Sequence, residues 1–324
     1  MLLIRGGSHN PAYNLATEEF LFSVKCEEAV FLWQNGPSVI VGVNQNTLSE
    51  VDTAYLDANN IPVIRRMTGG GAVYHDLGNI NFTFIEKEGE DCSFERFTRP
   101  VSDYLLTLGV VSEFSGRNDI QVDGRKISGN ARIVRNGFIL HHGTLLWKTD
   151  TETMGACLRP NAKKLESKGV KSVRSRVANI SDFVTKKMSA PDFLDGLENY
   201  FKQTRKLSEY AFTDDEKSEI LKFEREKYGT WYWNFGRSPR CDTEFERKLA
   251  SGTVNIRLTL DKMVITHAEI TGDFFGNLPA SELAARLEGI PYQKSAVAEL
   301  LKSIDVSLYI DGATAEELIG CMNF

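Results

Sequence analysis

The sequence lacks any hydrophobic run long enough to cross a membrane. Its longest apolar stretch, Val39-Ile40-Val41-Gly42-Val43, is far shorter than a bilayer span, which requires about 20 residues. The opening segment MLLIRGG has three apolar residues before Arg5, much less than the apolar core of a signal peptide. We therefore expect no membrane association and no export.

Cysteine is scarce and scattered. The chain has five cysteines, and none of them forms a CxxC pair. This spacing argues against a zinc framework and is typical of proteins in a reducing compartment. We therefore expect a cytoplasmic protein. The five cysteines are Cys26, Cys92, Cys157, Cys241 and Cys321.

A basic excess is also missing. The 38 basic residues are outnumbered by 44 acidic ones, giving a net charge of −6, so nucleic acid is not a favoured partner. No low-complexity tract or short repeat is present, which disfavours disorder and repeat architectures. With 324 residues, 42% of them hydrophobic and 25% charged, the chain can form one large and one small globular domain. We expect a monomer.

Strand-like and helix-like segments are mixed along the chain. The turns at Asp123-Gly124 and Asn136-Gly137 separate alternating segments and predict β-hairpins. Hairpins require antiparallel pairing, so an α+β fold is favoured over a doubly wound one. We predict a large domain over residues 1–240, a linker around residues 237–246, and a small domain over residues 246–324 with two strands and about three helices.

Three glycines, Gly69 to Gly71, interrupt a strand-like region within RRMTGGGAVYHDLGNIN. The dinucleotide pattern GxGxxG needs a glycine where Tyr74 stands and a helix after it, whereas a strand-like run follows here. The phosphate-loop pattern GxxxxGK[ST] has its nearest match at residues 124–129, which no lysine follows. The glycines alone fit either a tight turn or a backbone that passes close to a ligand.

Polar side chains on both sides of the glycines favour the ligand. Arg65 and Arg66 precede them, and a polar group follows in a run that otherwise predicts a strand. That group consists of Tyr74, His75, Asp76, Asn79 and Asn81. A concentration of polar groups beside tight backbone is more typical of a binding site than of a core.

Lys126 begins another alternating segment, after the first hairpin turn. Polar residues stand at every second position after it, and on a strand they share its face: Ser128, Asn130 and Arg132. A solvated hairpin lysine is the alternative. The neighbours His141 and His142 point to opposite faces of a strand, so they cannot readily chelate one ion, and we expect one of them to face the site.

Four motifs in this order resemble the lipoate–protein ligase family, and the resemblance extends to TWYWNFG and the C-terminal region. The motifs are RRMTGGGAVYHDLGNINFTF, GRNDIQVDGRKISGNAR, LHHGTLL and KGVKSVRSRVANI. The resemblance implies a biotin/lipoate-ligase-like α+β catalytic domain with largely antiparallel or mixed sheets and flanking helices. It also implies a small α+β accessory domain at the C-terminus.

The resemblance implies a two-step reaction. The carboxylate of lipoate attacks the α-phosphorus of ATP, and a lysine of an acceptor lipoyl domain then attacks the resulting lipoyl-AMP. The acceptors are a glycine-cleavage carrier protein or 2-oxoacid dehydrogenase subunits. Lys126 falls at the family's catalytic lysine, and Mg²⁺ is implied with Asp119 near the phosphates. The sequence does not identify the base that deprotonates the incoming lysine. Asp119 is a weak candidate for this base.

The family's ligand-binding positions map onto this sequence. The lipoate pocket is implied at Arg66, Gly71, His75, Lys126, Ser128 and His142. The nucleotide is implied at Gly71, Ala72, Val73, Tyr74, His75, Asn79 and Lys126. Trp33 is a candidate apolar wall. Residues 168–179, with Arg174 and Arg176, resemble the loop that covers the adenylate, although surface solvation explains these arginines equally well.

Two alternatives from other functional classes stay open. An acyltransferase of the same superfamily needs no ATP and uses a cysteine thioester, for which Cys157 is the candidate thiol. A buried apolar role for Cys157 is the competing explanation. A lipoate-binding or adenylating protein that needs a partner for transfer is the second alternative. Met67 stands at a position where many members of the family have a polar or basic residue, which puts any role of that side chain in doubt.

Overall fold

The computed structural model describes residues 1–115, 118–159, 176–238, 241–272, 274 and 276–324. The chain forms two compact units. The first comprises Met1–Gln45 and Ile61–Thr230, and the second comprises Asn46–Asn60 and Trp231–Phe324. The segment Asn46–Asn60 therefore groups with the C-terminal part of the chain, whereas the sequence placed it in the first domain. That residues 1–240 and residues 246–324 fold as separate domains stays a prediction.

A mixed sheet forms the centre of the first unit. In the described residues its strand order is β11-β1-β2-β6-β10-β9-β8-β7. The bounds are β1 Leu2–Arg5, β2 Ala29–Trp33, β6 Asn79–Lys87, β7 Glu113–Ser115, β8 Asp119–Val122, β9 Arg125–Arg135, β10 Phe138–Leu146 and β11 Ser208–Glu209. Strand β1 pairs in parallel with both neighbours, and the other pairings are antiparallel. The predicted α+β class is confirmed.

In the described part of the chain, five α-helices belong to the first unit, and two of them, which contain Phe97 and Phe201, bury apolar side chains of this sheet. The five helices are α1 Pro11–Phe20, α4 Phe94–Thr107, α5 Thr151–Cys157, α6 Ala190–Thr204 and α7 Asp214–Phe223. Asn10 caps α1 by accepting from the amides of Ala12 and Tyr13, and Pro11 fits the first helical position. Phe84 of β6 contacts the rings of Phe97 and Phe201, which anchors α4 and α6 to the sheet.

A second, smaller sheet carries the glycine run. Strand β3, Ser38–Val41, lies between β4, Val63–Arg65, and β5, Val73–His75. It pairs in parallel with β4 and antiparallel with β5. The residues between β4 and β5, which we call the glycine loop (residues 66–72), therefore cross over the end of β3. Of the three glycines in this crossover, Gly70 is required by its backbone, which has a φ of +95°.

The second unit has its own core. Strands β12 Cys241–Leu249, β13 Gly252–Asp261 and β14 Val264–Gly272 form an antiparallel sheet. The helices are α2 Thr47–Glu50, α3 Thr53–Ala58, α8 Ala280–Leu287, α9 Lys294–Lys302 and α10 Ala315–Cys321. The predicted linker at 237–246 is wrong where it overlaps β12. The sequence CDTEFERKL is so rich in charge that it carries little strand-like apolar alternation.

Candidate functional site

A cleft of about 600 Å³, counting the open space at its mouth, lies in the first unit. One wall is formed by the glycine loop and β5, through Arg66, Gly70, Gly71, Ala72, Val73 and His75. The opposite wall comes from β9, β10 and the turn before β8, and includes Asn118, Lys126, Gly129, His142 and Thr144. Leu15, Trp33 and Ile40 add an apolar portion. The cleft therefore combines cationic and apolar side chains, and Arg66 lies next to Ile40, to whose carbonyl it donates.

Arg66 holds the glycine loop together. Its guanidinium donates to the carbonyls of Ile40 at 3.2 Å, Gly69 at 2.6 Å and Gly71 at 2.9 Å, and its Nε donates to Thr68 Oγ1 at 3.0 Å. Burial lowers the pKa of Arg66 to about 10, while Glu18 opposes that shift. Arg66 is thus committed largely to protein acceptors, and its first role is to fix the loop's shape.

Two glycines are required where the loop passes β3. Gly70 has φ of +95°, a conformation that side chains rarely adopt. A Cβ on Gly42 would lie 2.2 Å from the carbonyl oxygen of Gly70, so any side chain at Gly42 would push the loop away. By contrast, a Cβ on Gly71 would meet nothing within 4 Å. Gly71 thus faces open space beside the cleft.

Lys126 lies in the cleft with its Nζ 2.8 Å from Asp119 Oδ1. The ammonium is 32% exposed, so it is accessible to a ligand. A Cβ on Gly129 would lie 2.6 Å from this Nζ, which shows that the lysine side chain folds over the bare backbone of Gly129. Gly129 therefore leaves the space in which the ammonium lies.

The backbone of Lys126 is anchored by a segment far along the chain. Its amide donates to the carbonyl of Arg176 at 2.8 Å, and its carbonyl accepts from the amide of Ala178 at 3.0 Å. The predicted adenylate-covering loop spans 168–179; residues 168–175, including Arg174, lie outside the described residues. Its end at residues 176–178 forms a parallel bridge beside Lys126.

A buried polar network connects α1 to the glycine loop through His142. His142 Nδ1 lies 3.0 Å from Glu18 Oε1, and His142 Nε2 lies 2.8 Å from Thr68 Oγ1. Thr83 also donates to Glu18, and Trp33 Nε1 donates to Thr83 at 3.0 Å. Sequence reasoning missed Glu18, which is 1% exposed. The signal for Glu18 that the sequence offered is a carboxylate among the apolar positions of α1.

The other predicted residues divide between the cleft and the core. Val73 and His75 line the cleft, whereas Tyr74 points to the other face of β5 and is buried. Asn79 is fully buried and donates to Asn81, which does line the cleft. His142 lines the cleft, and His141 stacks on Phe97 in the core at 4.9 Å.

Ser128 differs most from its predicted placement. Its hydroxyl accepts from Asn130, whose Oδ1 lies 3.2 Å from His141 Nε2, so Ser128 lies on the side of the core histidine and not with His142. The cause is a β-bulge. Lys126 pairs with Gln121 and Ser128 pairs with Ile120, which leaves Ile127 unpaired and breaks the alternation that put Lys126 and Ser128 on one face.

The chemistry of the site offers little for a resident metal. Within the described ranges, no group of three His, Cys, Asp or Glu side chains could hold an ion. Asp119 is the carboxylate beside Lys126, and its Oδ1 is engaged by that lysine. Magnesium in nucleotide sites commonly takes one or two carboxylates and completes its shell with phosphates and water. A single carboxylate therefore fits a magnesium ion that arrives with ATP.

His75 is buried among cationic and imidazole groups. Burial, then Arg66 and His142, lower the pKa of His75 to about 3. The unfolded chain binds this proton near pH 6.5, so the folded protein loses stability as pH falls from 6.5 towards 3. At pH 5 the loss from this residue is about 2 kcal/mol.

We expect His75→Asn to reduce the acid sensitivity of folding. Between pH 7.5 and pH 5, its free energy of unfolding should fall by about 2 kcal/mol less than that of the wild type. Denaturant unfolding at the two pH values measures this difference. The control is His267→Asn, at a histidine whose side chain is 59% exposed in the second unit. Equal losses in wild type and His75→Asn would contradict the assignment.

Together, the fold and the cleft define an α+β protein with a cleft that is lined by both cationic and apolar side chains. Residues 10–202 match the model of the lipoyl protein ligase A/B catalytic domain, and residues 238–322 match that of the bacterial lipoate protein ligase C-terminus. The chain is 41% identical over 318 residues to the lipoate–protein ligase LplJ of Bacillus subtilis, covering 96% of each chain. It is also 41% identical over 319 residues to lipoate–protein ligase 1 of Staphylococcus aureus, covering 97% of each.

Solved structures agree with this assignment. A bi-partite lipoate protein ligase of Thermoplasma acidophilum, described with its E2 lipoyl domain, has a TM-score of 0.62 at 30% identity, over 73% of this chain and 96% of that one. A putative lipoate protein ligase from the same organism with bound lipoic acid has a TM-score of 0.60 at 28% identity, over 72% and 98%. A lipoate–protein ligase A bound with ATP has a TM-score of 0.62 at 30% identity, over 73% and 98%.

The chain belongs to the lipoate–protein ligase family, as its motifs predicted. It is therefore a member of a family of ligase enzymes. Among the helices that the structure describes, none is long and apolar enough to cross a membrane.

Proposed function

We propose that this protein is an ATP-dependent lipoate–protein ligase that forms lipoyl-AMP and then lipoylates a lysine of an acceptor lipoyl domain. The observation that carries the proposal is the Lys126 ammonium, ion-paired to Asp119 in a cleft that also has an apolar portion and a glycine loop. The family relatives with bound ATP and bound lipoic acid support these two substrates.

In the first step, a carboxylate oxygen of lipoate forms a bond to the α-phosphorus of ATP. The bond from that phosphorus to the bridging oxygen breaks, and pyrophosphate leaves with the electron pair. Both reactants are anions, so a cation between them lowers the barrier, by about 4 kcal/mol for a close pair at an effective dielectric of 20. Lys126 supplies that charge to the developing phosphoryl oxygens.

The glycine loop offers backbone to the nucleotide. Gly71, Ala72 and Val73 line the cleft, and Arg66 donates hydrogen bonds to the carbonyls of Gly69 and Gly71. We propose that the amides of this stretch then contact the nucleotide. A magnesium ion bound with ATP would be held by the phosphates and Asp119, and it would neutralise phosphate charge.

The apolar portion of the cleft suits the acyl chain of lipoate. Leu15, Trp33 and Ile40 line it. Trp33 is held in place because its Nε1 donates to Thr83, and its ring stacks on Phe31 at 5.7 Å. A fixed apolar wall lets the chain bind without exposing polar groups to it.

In the second step, the neutral amine of the acceptor lysine attacks the acyl carbon, the bond from that carbon to the phosphate oxygen breaks, and an amide, AMP and a proton are formed. The Thermoplasma acidophilum relative, described together with its E2 lipoyl domain, supports an acceptor of this class. We infer that a glycine-cleavage carrier protein or a 2-oxoacid dehydrogenase subunit is the acceptor. We also infer a cytoplasmic protein, because Cys26, Cys92 and Cys321 are not in disulfides. The monomeric state stays a prediction.

Mass spectrometry of an acceptor lipoyl domain tests the proposal. Incubation with the protein, Mg-ATP and lipoate should add one lipoyl group to the acceptor lysine, and omission of ATP should abolish the addition. An unmodified acceptor, together with lipoate-dependent exchange of pyrophosphate into ATP, would instead support the adenylating protein that needs a partner. Absence of both activities would refute the ligase.

Cys157 separates the ligase from the cysteine acyltransferase. It lies at the end of α5, is fully buried and does not line the cleft. A buried thiol in apolar surroundings is a poor nucleophile. We expect Cys157→Ser to retain ATP-dependent lipoylation within about twofold of wild type at saturating substrate, because a loss of packing acts on stability and not on chemistry. Loss of transfer with adenylation intact would favour the acyltransferase.

A further inference from the structure

His75 is held by a chain of two buried amides. Asn14 Nδ2 lies 3.0 Å from the carbonyl of Ser8 and 2.9 Å from that of Gln34. Carbonyls only accept, so these contacts fix the orientation of the Asn14 amide. The same Nδ2 lies 2.9 Å from Asn35 Oδ1, which orients Asn35 in turn.

The orientation of Asn35 determines the tautomer of His75. With Oδ1 turned to Asn14, Asn35 presents Nδ2 to His75 Nδ1 at 3.0 Å. Nδ1 must then accept, and the single proton of a neutral imidazole is placed on Nε2. Asn14, Asn35 and His75 are 1%, 0% and 3% exposed, so water does not compete for these bonds.

The Nε2 edge of the imidazole is the part left for a ligand. Nε2 is buried, and no atom of the described residues accepts a hydrogen bond from it. His75 lines the cleft beside Trp33, with ring centroids 6.2 Å apart. Asn81 of β6 pairs with Trp33 on the neighbouring strand β2 and also lines the cleft. Its Nδ2 lacks a partner among the described residues. Buried donors without acceptors are costly unless a ligand supplies the acceptor.

We propose that Asn14 and Asn35 are positioning residues that hold His75 as a neutral Nε2–H donor, and that this donor binds the acyl oxygen of the substrate. The proposal rests on the ligase function proposed above and deepens it. The donor lies beside the apolar wall, so the oxygen it meets belongs to the acyl end of lipoate and not to the triphosphate.

A neutral donor has a specific advantage in this reaction. The acyl oxygen is part of an anionic carboxylate before adenylation and of an uncharged carbonyl afterwards. A cation would bind the first much more tightly than the second, whereas a neutral N–H bonds to both. Arg66, His142 and Glu18 are the charged or titratable groups around the imidazole, and Arg66 disfavours a second positive charge at His75. His75 therefore retains the acyl end through both steps.

Nitrogen NMR of the intact protein tests the tautomer directly. The protein is labelled with ¹⁵N-histidine, and the His75 signals are assigned by their absence from His75→Gln. We expect Nε2 to carry the proton and Nδ1 to be bare, unchanged from pH 8 to pH 6. A proton on Nδ1, or protonation of both nitrogens within this range, would overturn the proposal. Because the tautomer is measured in the wild-type protein, this test does not require an active variant.

Asn35→Asp tests the consequence for activity. A carboxylate at position 35 accepts from Nδ1–H, which leaves Nε2 bare at high pH and protonated only in the imidazolium form. In lipoate-dependent pyrophosphate–ATP exchange, we expect a loss of about 10- to 100-fold at pH 8.5, the usual range for one hydrogen bond to a charged group. The loss should appear in KM for lipoate or in kcat, with KM for ATP unchanged, and should shrink as the pH falls to 6.

The control is Asn136→Asp, the same change at an exposed hairpin residue, which should match wild type at each pH. Wild-type behaviour of Asn35→Asp, a loss that does not recover at low pH, or a change in KM for ATP alone would each overturn the proposal. The ligase function itself is tested separately. It fails if the wild type shows no lipoate-dependent exchange, whereas this proposal fails only against an active wild type.

Discussion

Lys126→Ala should reduce lipoate-dependent pyrophosphate–ATP exchange by about 1,000-fold. The estimate comes from the charge that the variant removes: about 4 kcal/mol for a close ion pair at an effective dielectric of 20, or three factors of ten in rate. The cleft side chain of Lys126 is 32% exposed, so its removal leaves no buried cavity and should leave the fold intact. Exchange at saturating and at limiting lipoate separates kcat from KM.

Two variants sharpen this result. Lys87→Ala removes an exposed lysine at the far end of β6 and should have wild-type activity. Lys126→Arg keeps the charge but replaces a compact ammonium with a broad planar guanidinium, which changes the position of the charge. We expect Lys126→Arg to recover only part of the activity. Full activity of Lys126→Ala would refute the adenylation mechanism described above.

The sequence was most informative where chemistry and local geometry coincide. The glycine loop, Lys126 and His142 were predicted from residue types and motif order, and the structure places all of them around one cleft. The family and the α+β class are confirmed. The roles of the glycine loop, Lys126 and His142 in binding stay predictions. The two predicted hairpin turns, at Asp123-Gly124 and Asn136-Gly137, are also confirmed, since they join β8 to β9 and β9 to β10.

Residues whose role depends on distant parts of the chain could not be predicted. Glu18 contacts His142 across 124 positions, and Asn35 contacts His75 across 40, so neither pair shares a local pattern. The face of Ser128 depends on a bulge that one strand imposes on another, which periodicity within a strand cannot reveal. The grouping of Asn46–Asn60 with the C-terminal unit likewise depends on tertiary contacts.

The second large effect is expected from a single methyl group. A Cβ on Gly129 would lie 2.6 Å from Nζ and 2.8 Å from Cε of Lys126, closer than real side chains approach. The end of a flexible lysine can move cheaply, so Gly129→Ala should displace the ammonium with little loss of stability. We expect about a 100-fold loss in exchange activity, since moving a charge by an ångström or more disrupts the geometry that catalysis requires. Exchange kinetics and thermal unfolding measure the two effects.

A double-mutant cycle shows whether Gly129 acts through Lys126. If it does, Gly129→Ala should cost almost nothing further in the Lys126→Ala background, because the group that it displaces is already absent. Gly155→Ala is the matched control, since a Cβ there meets nothing within 4 Å and Gly155 lies within α5. Additive losses from Gly129→Ala and Lys126→Ala would mean that the methyl group obstructs the substrate itself. In that case, the bare backbone at Gly129 would serve the ligand and not the placement of the ammonium.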